Sequence, residues 1–178
     1  MYALLYDKNR DRLMVGNGAG DIEVLNADFE LVEKYRLHQD LITVIKWVGG
    51  ESKLIATGSI DTTLKVSKAY STEVIARLEF NEPVWSFAEY ASKLWVPLLS
   101  QSKIVREYWR ENPIVEDSDG CHRQIVQVGP DLLAVGLDLN WVINLTTGAK
   151  EQLEAHAIGS FQDQLVVVNE NEMLLQSK

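Results

Sequence analysis

The chain has 178 residues, 46% of them hydrophobic and 24% charged, enough apolar material for the core of one domain or at most two small ones. Its 17 Lys and Arg stand against 26 Asp and Glu, a formal charge of -9 that argues against a general nucleic-acid binder and against electrostatic docking on anionic lipid. No apolar run approaches the roughly 20 residues that span a bilayer, and the lone Cys121 rules out an intramolecular disulfide. With no signal peptide expected at the start, an intracellular location, cytoplasmic or nuclear, is the expectation.

Taken in chain order, the sequence spells short strands. They are predicted at 3–6, 12–15, 21–25, 31–35, 42–47, 54–57, 63–66 and 74–78, rich in β-branched and aromatic residues and separated by Gly, Asn, Asp or Ser. Several alternate apolar with polar, as in Asp21-Ile22-Glu23-Val24. Apolar strands follow at 94–96, 132–135, 165–168 and 173–175, and a single helical turn is predicted at 153–156. Gly16-Asn17-Gly18-Ala19-Gly20 is expected to be a hairpin turn and not a phosphate loop, because a period-2 strand follows it where a helix N-terminus is required. Adjacent Cys121 and His122, with His38 and His156 far away in sequence, make a poor tetrahedral ligand set, so no metal is expected. Asn144-Leu145-Thr146 reads as a turn, and the acidic stretch 116–120 as a solvated loop. Trp47, Trp95 and Trp141 fall in strand patterns and are expected to pack.

These strands repeat. An apolar pair spaced i, i+3 opens each unit: Tyr2/Leu5, Ile42/Ile45, Val84/Phe87, Ile125/Val128 and Ile158/Phe161. The openings are 40, 42, 41 and 33 residues apart. A period near 40 with four short strands per unit is the arithmetic of a β-propeller blade. The expected fold is therefore all-β and propeller-like, with four to five four-stranded antiparallel blades in one domain. The blades fall near 1–38, 39–80, 81–121, 122–155 and, in part, 156–178. The last unit has three strands and lacks a fourth, so an open edge is expected there.

The second unit carries His38, then Ile42-x-x-Ile45-x-Trp47, then the run from Leu54 to Val66 with Thr57, Ser59 and Asp61. This run resembles a WD40 repeat. The resemblance implies that His38, Asp61 and Ser59 or Thr57 form the hydrogen-bond network that locks a blade. The family's Trp-Asp pair is absent at Ser67-Lys68, and the other units match poorly: Ala19 or Gly20 stands at the first turn, Gln101 at the third, and Asp138 lies one place off in the fourth.

The resemblance also implies a non-catalytic protein-protein interaction scaffold in a multiprotein complex, with no cofactor. Its partners would be other protein subunits, one of them completing the open edge, with no direct nucleic acid and no membrane span. Trp85, Arg106 and Trp109 are the candidate partner-binding residues, because Trp, Tyr and Arg dominate binding hot spots. A propeller enzyme would need titratable groups converging at a channel mouth, and a small propeller lectin would repeat its ligand residues in every blade. At about 40 residues per blade, 178 residues fall short of a seven-bladed ring, leaving open a reduced propeller, a piece of a larger one, or a partial ring that depends on partners.

Overall fold

The computed structural model describes residues 3–50, 54–118, 120–136, 141–152, 157–161, 164–169 and 173–176. Every regular element among them is a β-strand, and the strands form five antiparallel sheets. The first joins β1 (Ala3–Asp7), β2 (Arg12–Gly16), β3 (Asp21–Leu25) and β4 (Leu31–Arg36). The second joins β5 (Ile42–Val48), β6 (Leu54–Ser59), β7 (Thr63–Lys68) and β8 (Val74–Glu79). The third holds β9 (Ala88–Tyr90), β10 (Lys93–Val96), β11 (Lys103–Arg106) and β12 (Ile114–Asp117). The fourth holds β13 (His122–Val128), β14 (Asp131–Gly136), β15 (Trp141–Asn144) and β16 (Lys150–Gln152). The fifth has three strands, β17 (Ala157–Phe161), β18 (Gln164–Val168) and β19 (Met173–Gln176). In each sheet the strands pair in chain order.

The chain divides into two compact units. One contains Met1–Trp85 with Glu107–Ile114, the other Ser86–Arg106 with Val115–Lys178. In the first unit, Ala3, Met14, Ile22, Val24 and Tyr35 of the first sheet pack on Ile42, Ile45 and Ile55 of the second. The strand period of two brings these residues to one face of their sheet. Fully burying one such aliphatic side chain contributes about 1.5–3 kcal/mol, so this seam holds the unit together. Gly16 permits the approach: a Cβ there would stand 2.6 Å from Cγ2 of Ile42.

In the second unit, Val128, Leu133, Val135 and Val142 pack on Ile158, Leu165 and Val167. Ala88 packs with Ile125, Leu132 and Ala134. Gln124 on β13 also clamps β17, its Nε2 donating to Ile158 O at 2.6 Å and its Oε1 accepting from Ile158 N at 3.0 Å. Within each unit the first strand of a sheet lies against the first strand of the next: β1 on β5, β9 on β13 and β13 on β17. That stacking of meandering sheets by their leading strands is blade packing.

The structure corrects three local expectations. Val84 to Phe87 do not open a strand; β9 begins only at Ala88. Pro83 donates no amide, and Val84 N is claimed by Ser59 O at 3.0 Å rather than by a ladder partner. Glu116 and Asp117 belong to β12, not to a loop, and face cations on β11: Arg106 meets Glu116 at 2.9 Å and Lys103 bonds Asp117. Ser118 is buried rather than solvated. The helical turn expected at 153–156 and Asp138 lie outside the described residues.

Candidate functional site: a buried polar joint between two sheets

The site lies where the first and second sheets of the first unit meet. It is assembled from two hairpin turns and the loop that leads from β4 into β5. On the first-sheet side, the β2–β3 turn is held by Asn17, whose Oδ1 accepts from Ala19 N at 2.9 Å and Asp21 N at 3.1 Å. This is the local side-chain mimic of a backbone turn. The turn ends at Gly20, whose φ of 85° favours glycine. Gly20 O accepts from Leu37 N and His38 N, both at 3.0 Å, and Asn17 O accepts from Ile42 N at 3.1 Å. A Cβ on Gly20 would stand 2.2 Å from His38 O, so the contact is built for the bare backbone. Position 20, where the resemblance places a turn aspartate, therefore works through its carbonyl.

On the second-sheet side, His38 is 1% exposed. Its Nδ1 lies 3.0 Å from Asp61 Oδ2, and its Nε2 lies 2.8 Å from Thr57 Oγ1. An ionised carboxylate only accepts, so Nδ1 carries the proton and Nε2 accepts from the Thr57 hydroxyl. Thr63 Oγ1 donates to Asp61 Oδ1 at 2.6 Å and sits 3.0 Å from His38 Nδ1. Asp61 further accepts from Gln39 N at 2.8 Å and Thr63 N at 3.0 Å. Ser59 takes a different part: its Oγ accepts from Asp61 N at 3.1 Å and donates to Asp40 O at 3.1 Å. Thr57, not Ser59, is thus the histidine's partner. Lys65 Nζ bonds Leu37 O and ties β7 to the same loop.

The electrostatics fit a neutral imidazole beside a carboxylate. Burial pulls His38 down to about 4, against the opposing pull of Asp61. Burial pushes Asp61 up, but the Thr63 hydroxyl, the Gln39 and Thr63 amides and His38 outweigh it and hold the carboxyl at about 2. Every side-chain polar atom of His38 and Asp61 is engaged inside the protein. That leaves the joint no free nucleophile, and its chemistry is to fix two sheets and a loop in one geometry.

Thr63 and Lys65 belong to this site although the sequence did not single them out. The Asp61-x-Thr63 spacing was the available signal, since a short hydroxyl two residues after a turn aspartate reaches its carboxylate. Ser67, where the family keeps a tryptophan, is fully buried on β7 and its hydroxyl has no hydrogen-bond partner. His122, set beside Cys121 in the sequence, lies elsewhere. In the second unit it is buried, its Nδ1 lies 2.9 Å from Ser102 Oγ, and burial lowers its pKa. Cys121 Sγ donates to Ser100 O at 2.8 Å.

The candidate partner-binding residues occupy separate places. Trp85 is 50% exposed and follows Val84, which bonds Ser59 and Thr43 at the β6–β7 turn end of the second sheet. Trp109 is 45% exposed in the connection after β11 and stacks edge-on against buried Tyr108 at 5.0 Å. The Tyr108 hydroxyl lies 3.8 Å from where a Gly49 Cβ would stand, at the β5–β6 turn. The two indoles therefore mark opposite ends of one hairpin and do not form a single patch. Arg106 ends β11 in the second unit, paired with Glu116.

No family model matches the chain, and no curated protein matches its sequence. Its fold is matched by solved structures. The Myceliophthora thermophila Cps50 (Swd1) β-propeller domain gives a TM-score of 0.77 at 14% identity, covering 95% of this chain and 62% of that one. A chain of the mitotic checkpoint complex gives 0.75 at 13% identity, covering 97% and 62%. The WD40 propeller of Doa1 gives 0.73 at 15% identity, covering 99% and 64%. The chain spans less than two thirds of the length of each. With its meandering four-stranded sheets, leading-strand stacking and His38–Thr57–Asp61 lock, the chain has the WD40-type β-propeller fold.

Proposed function

We propose that the chain is a non-catalytic scaffold for protein-protein interaction, a subunit of a multiprotein complex inside the cell, in cytoplasm or nucleus. The observation that carries this reading is the joint itself. In the described part of the chain its most elaborate polar cluster is spent on holding sheets together, which is what a rigid platform needs and what a reaction centre cannot spare. One of the structural neighbours is a chain of the mitotic checkpoint complex, which supports a role among protein subunits.

Two features supply the contacts. Among the described residues β19 pairs only with β18, so the fifth sheet presents an edge to which a partner strand adds. Exposed Trp85 and Trp109 anchor partners at opposite ends of the β5–β6 hairpin. The test is gentle affinity purification from the source cell with mass spectrometry, run on the wild type and on Trp85→Ala and Trp109→Ala. A fixed set of subunits that copurifies with the wild type and is depleted by either variant supports the scaffold. A wild-type chain recovered alone overturns it.

A further inference from the structure

The β2–β3 turn that carries half of the joint contains the pair Asn17-Gly18. An asparagine side-chain amide is open to attack by the main-chain nitrogen of the next residue, and a glycine there puts no Cβ in the way. Gly18 is exposed, and a Cβ built on it meets nothing within 4 Å. The pair is thus reactive by composition and stands at the protein surface.

The folded turn holds the target amide at both ends. Asn17 Oδ1 accepts from Ala19 N at 2.9 Å and from Asp21 N at 3.1 Å, and its Nδ2 donates to Glu23 Oε1 at 3.0 Å. Glu23 is itself fixed by Lys34 Nζ at 2.9 Å. The main chain of Asn17 is engaged as well. Its N donates to Asp21 O at 3.0 Å, and its O accepts from Gly20 N at 3.3 Å and from Ile42 N, across the seam, at 3.1 Å. Closing a five-membered ring on Gly18 N demands new backbone and side-chain torsions at Asn17, and all of these bonds oppose them.

We propose that Asn17-Gly18 is a self-modification site, held off by the closed joint and converted by water when the joint opens. Gly18 N forms a bond to Asn17 Cγ, the Cγ–Nδ2 bond breaks, and Nδ2 leaves as ammonia with the proton that Gly18 N gives up. Water then opens the cyclic imide at either carbonyl, and nothing is oxidised or reduced. Opening at Cγ leaves aspartate at position 17, with a carboxylate oxygen set against Glu23 where an amide had donated. Opening at the main-chain carbonyl leaves isoaspartate, whose backbone runs through Cβ and Cγ and is one methylene longer. The carbonyl that meets Ile42 N then becomes part of a free carboxylate. Gly20 O, three residues on, loses the register that delivers it to Leu37 N and His38 N. Both products resist reclosure, so an opening of the joint becomes permanent. The proposal is independent of the scaffold reading.

Timed incubation of the full chain in buffer and across a urea series tests it. Aspartate and isoaspartate at position 17 are read by peptide mass and chromatography. The unfolded chain should convert at least about tenfold faster than the folded one, because the hydrogen bonds on the amide no longer add to the barrier. Below the unfolding transition the rate should climb with urea, since conversion slower than reclosing follows the open population. Gly18→Ala has open space for its side chain, so it should fold as the wild type does and lose most of the conversion seen in urea. Chain carrying isoaspartate should unfold at lower urea than unconverted chain. A folded wild type that converts as fast as the unfolded chain overturns the proposal. So does an unfolded Gly18→Ala chain that converts at the wild-type rate, or an isoaspartate chain as stable as the original.

Discussion

Two turns at the same level of adjoining sheets are held by opposite means. The β6–β7 turn is fixed by a half-buried carboxylate, Asp61, that gathers four donors from three residues, one of them a neutral histidine. The β2–β3 turn is fixed by backbone: Asn17 folds it locally and the Gly20 carbonyl receives two amides. The acid beside it, Asp21, turns outward to Arg36 and Lys34, whose side chains are largely exposed. Both arrangements position the same loop, 37–40. The comparison teaches that a WD40-type blade can keep its geometry without the family's polar residues, provided a neighbouring turn presents bare backbone to the loop.

The two mechanisms differ in how they break. Asp61→Ala should cost most, about 3 kcal/mol by urea denaturation, because it strands buried His38 and the buried Thr63 amide and hydroxyl. An effect below that of any first-sheet variant would invert the comparison. Acid should weaken the joint through His38. His38 has its pKa lowered to about 4 in the folded state against about 6.5 unfolded, so the unfolded chain takes the proton first. Stability is then full above about pH 6.5 and falls as pH drops toward 4, by up to about 3 kcal/mol. Asp61, held at about 2, adds a further loss below about pH 4 of the same sign. Thermal melts of wild type and His38→Gln across this range should converge at low pH, and parallel curves would show that His38 carries none of the dependence.

Gly20→Ala should cost about 2–3 kcal/mol from the clash with His38 O and the left-handed φ. It should leave the pH dependence unchanged, which separates it from the Asp61 variant. Asn17→Ala should cost about 1 kcal/mol, the worth of a turn-capping side chain. Arg36→Ala should cost less than about 0.5 kcal/mol, since its partner pair is exposed at the guanidinium. A larger loss would promote the surface ion pairs from bystanders to part of the joint.

The strands were legible because β-branched runs and Gly, Asn or Asp turns are local signals. β3, Asp21–Leu25, is read from sequence with the bounds the structure gives it. His38 and Asp61 could be paired across 23 residues only through the resemblance, since nothing local links them. Thr57 over Ser59 was undecidable from sequence, because both hydroxyls lie on the same face of β6 and only the depth of the imidazole separates them. The Gly20 contact was invisible, because a carbonyl has no side-chain signature. The misplaced start of β9 has the same cause: Val84 looks like a strand opener, yet its amide is taken by a carbonyl 25 residues earlier.

The chain-order pairing of every sheet has a kinetic consequence. Each strand finds its partner in the segment just before or after it, so no sheet waits on a distant stretch of polypeptide. Loop-closure entropy is small for such hairpins, and contacts of short sequence separation form early. On the ribosome the first sheet can assemble before the second is translated. It would then offer Gly20 as a ready surface on which the His38 loop condenses as it emerges. The order of synthesis would thus become the order of assembly, with the joint as the first step at which two sheets commit to each other.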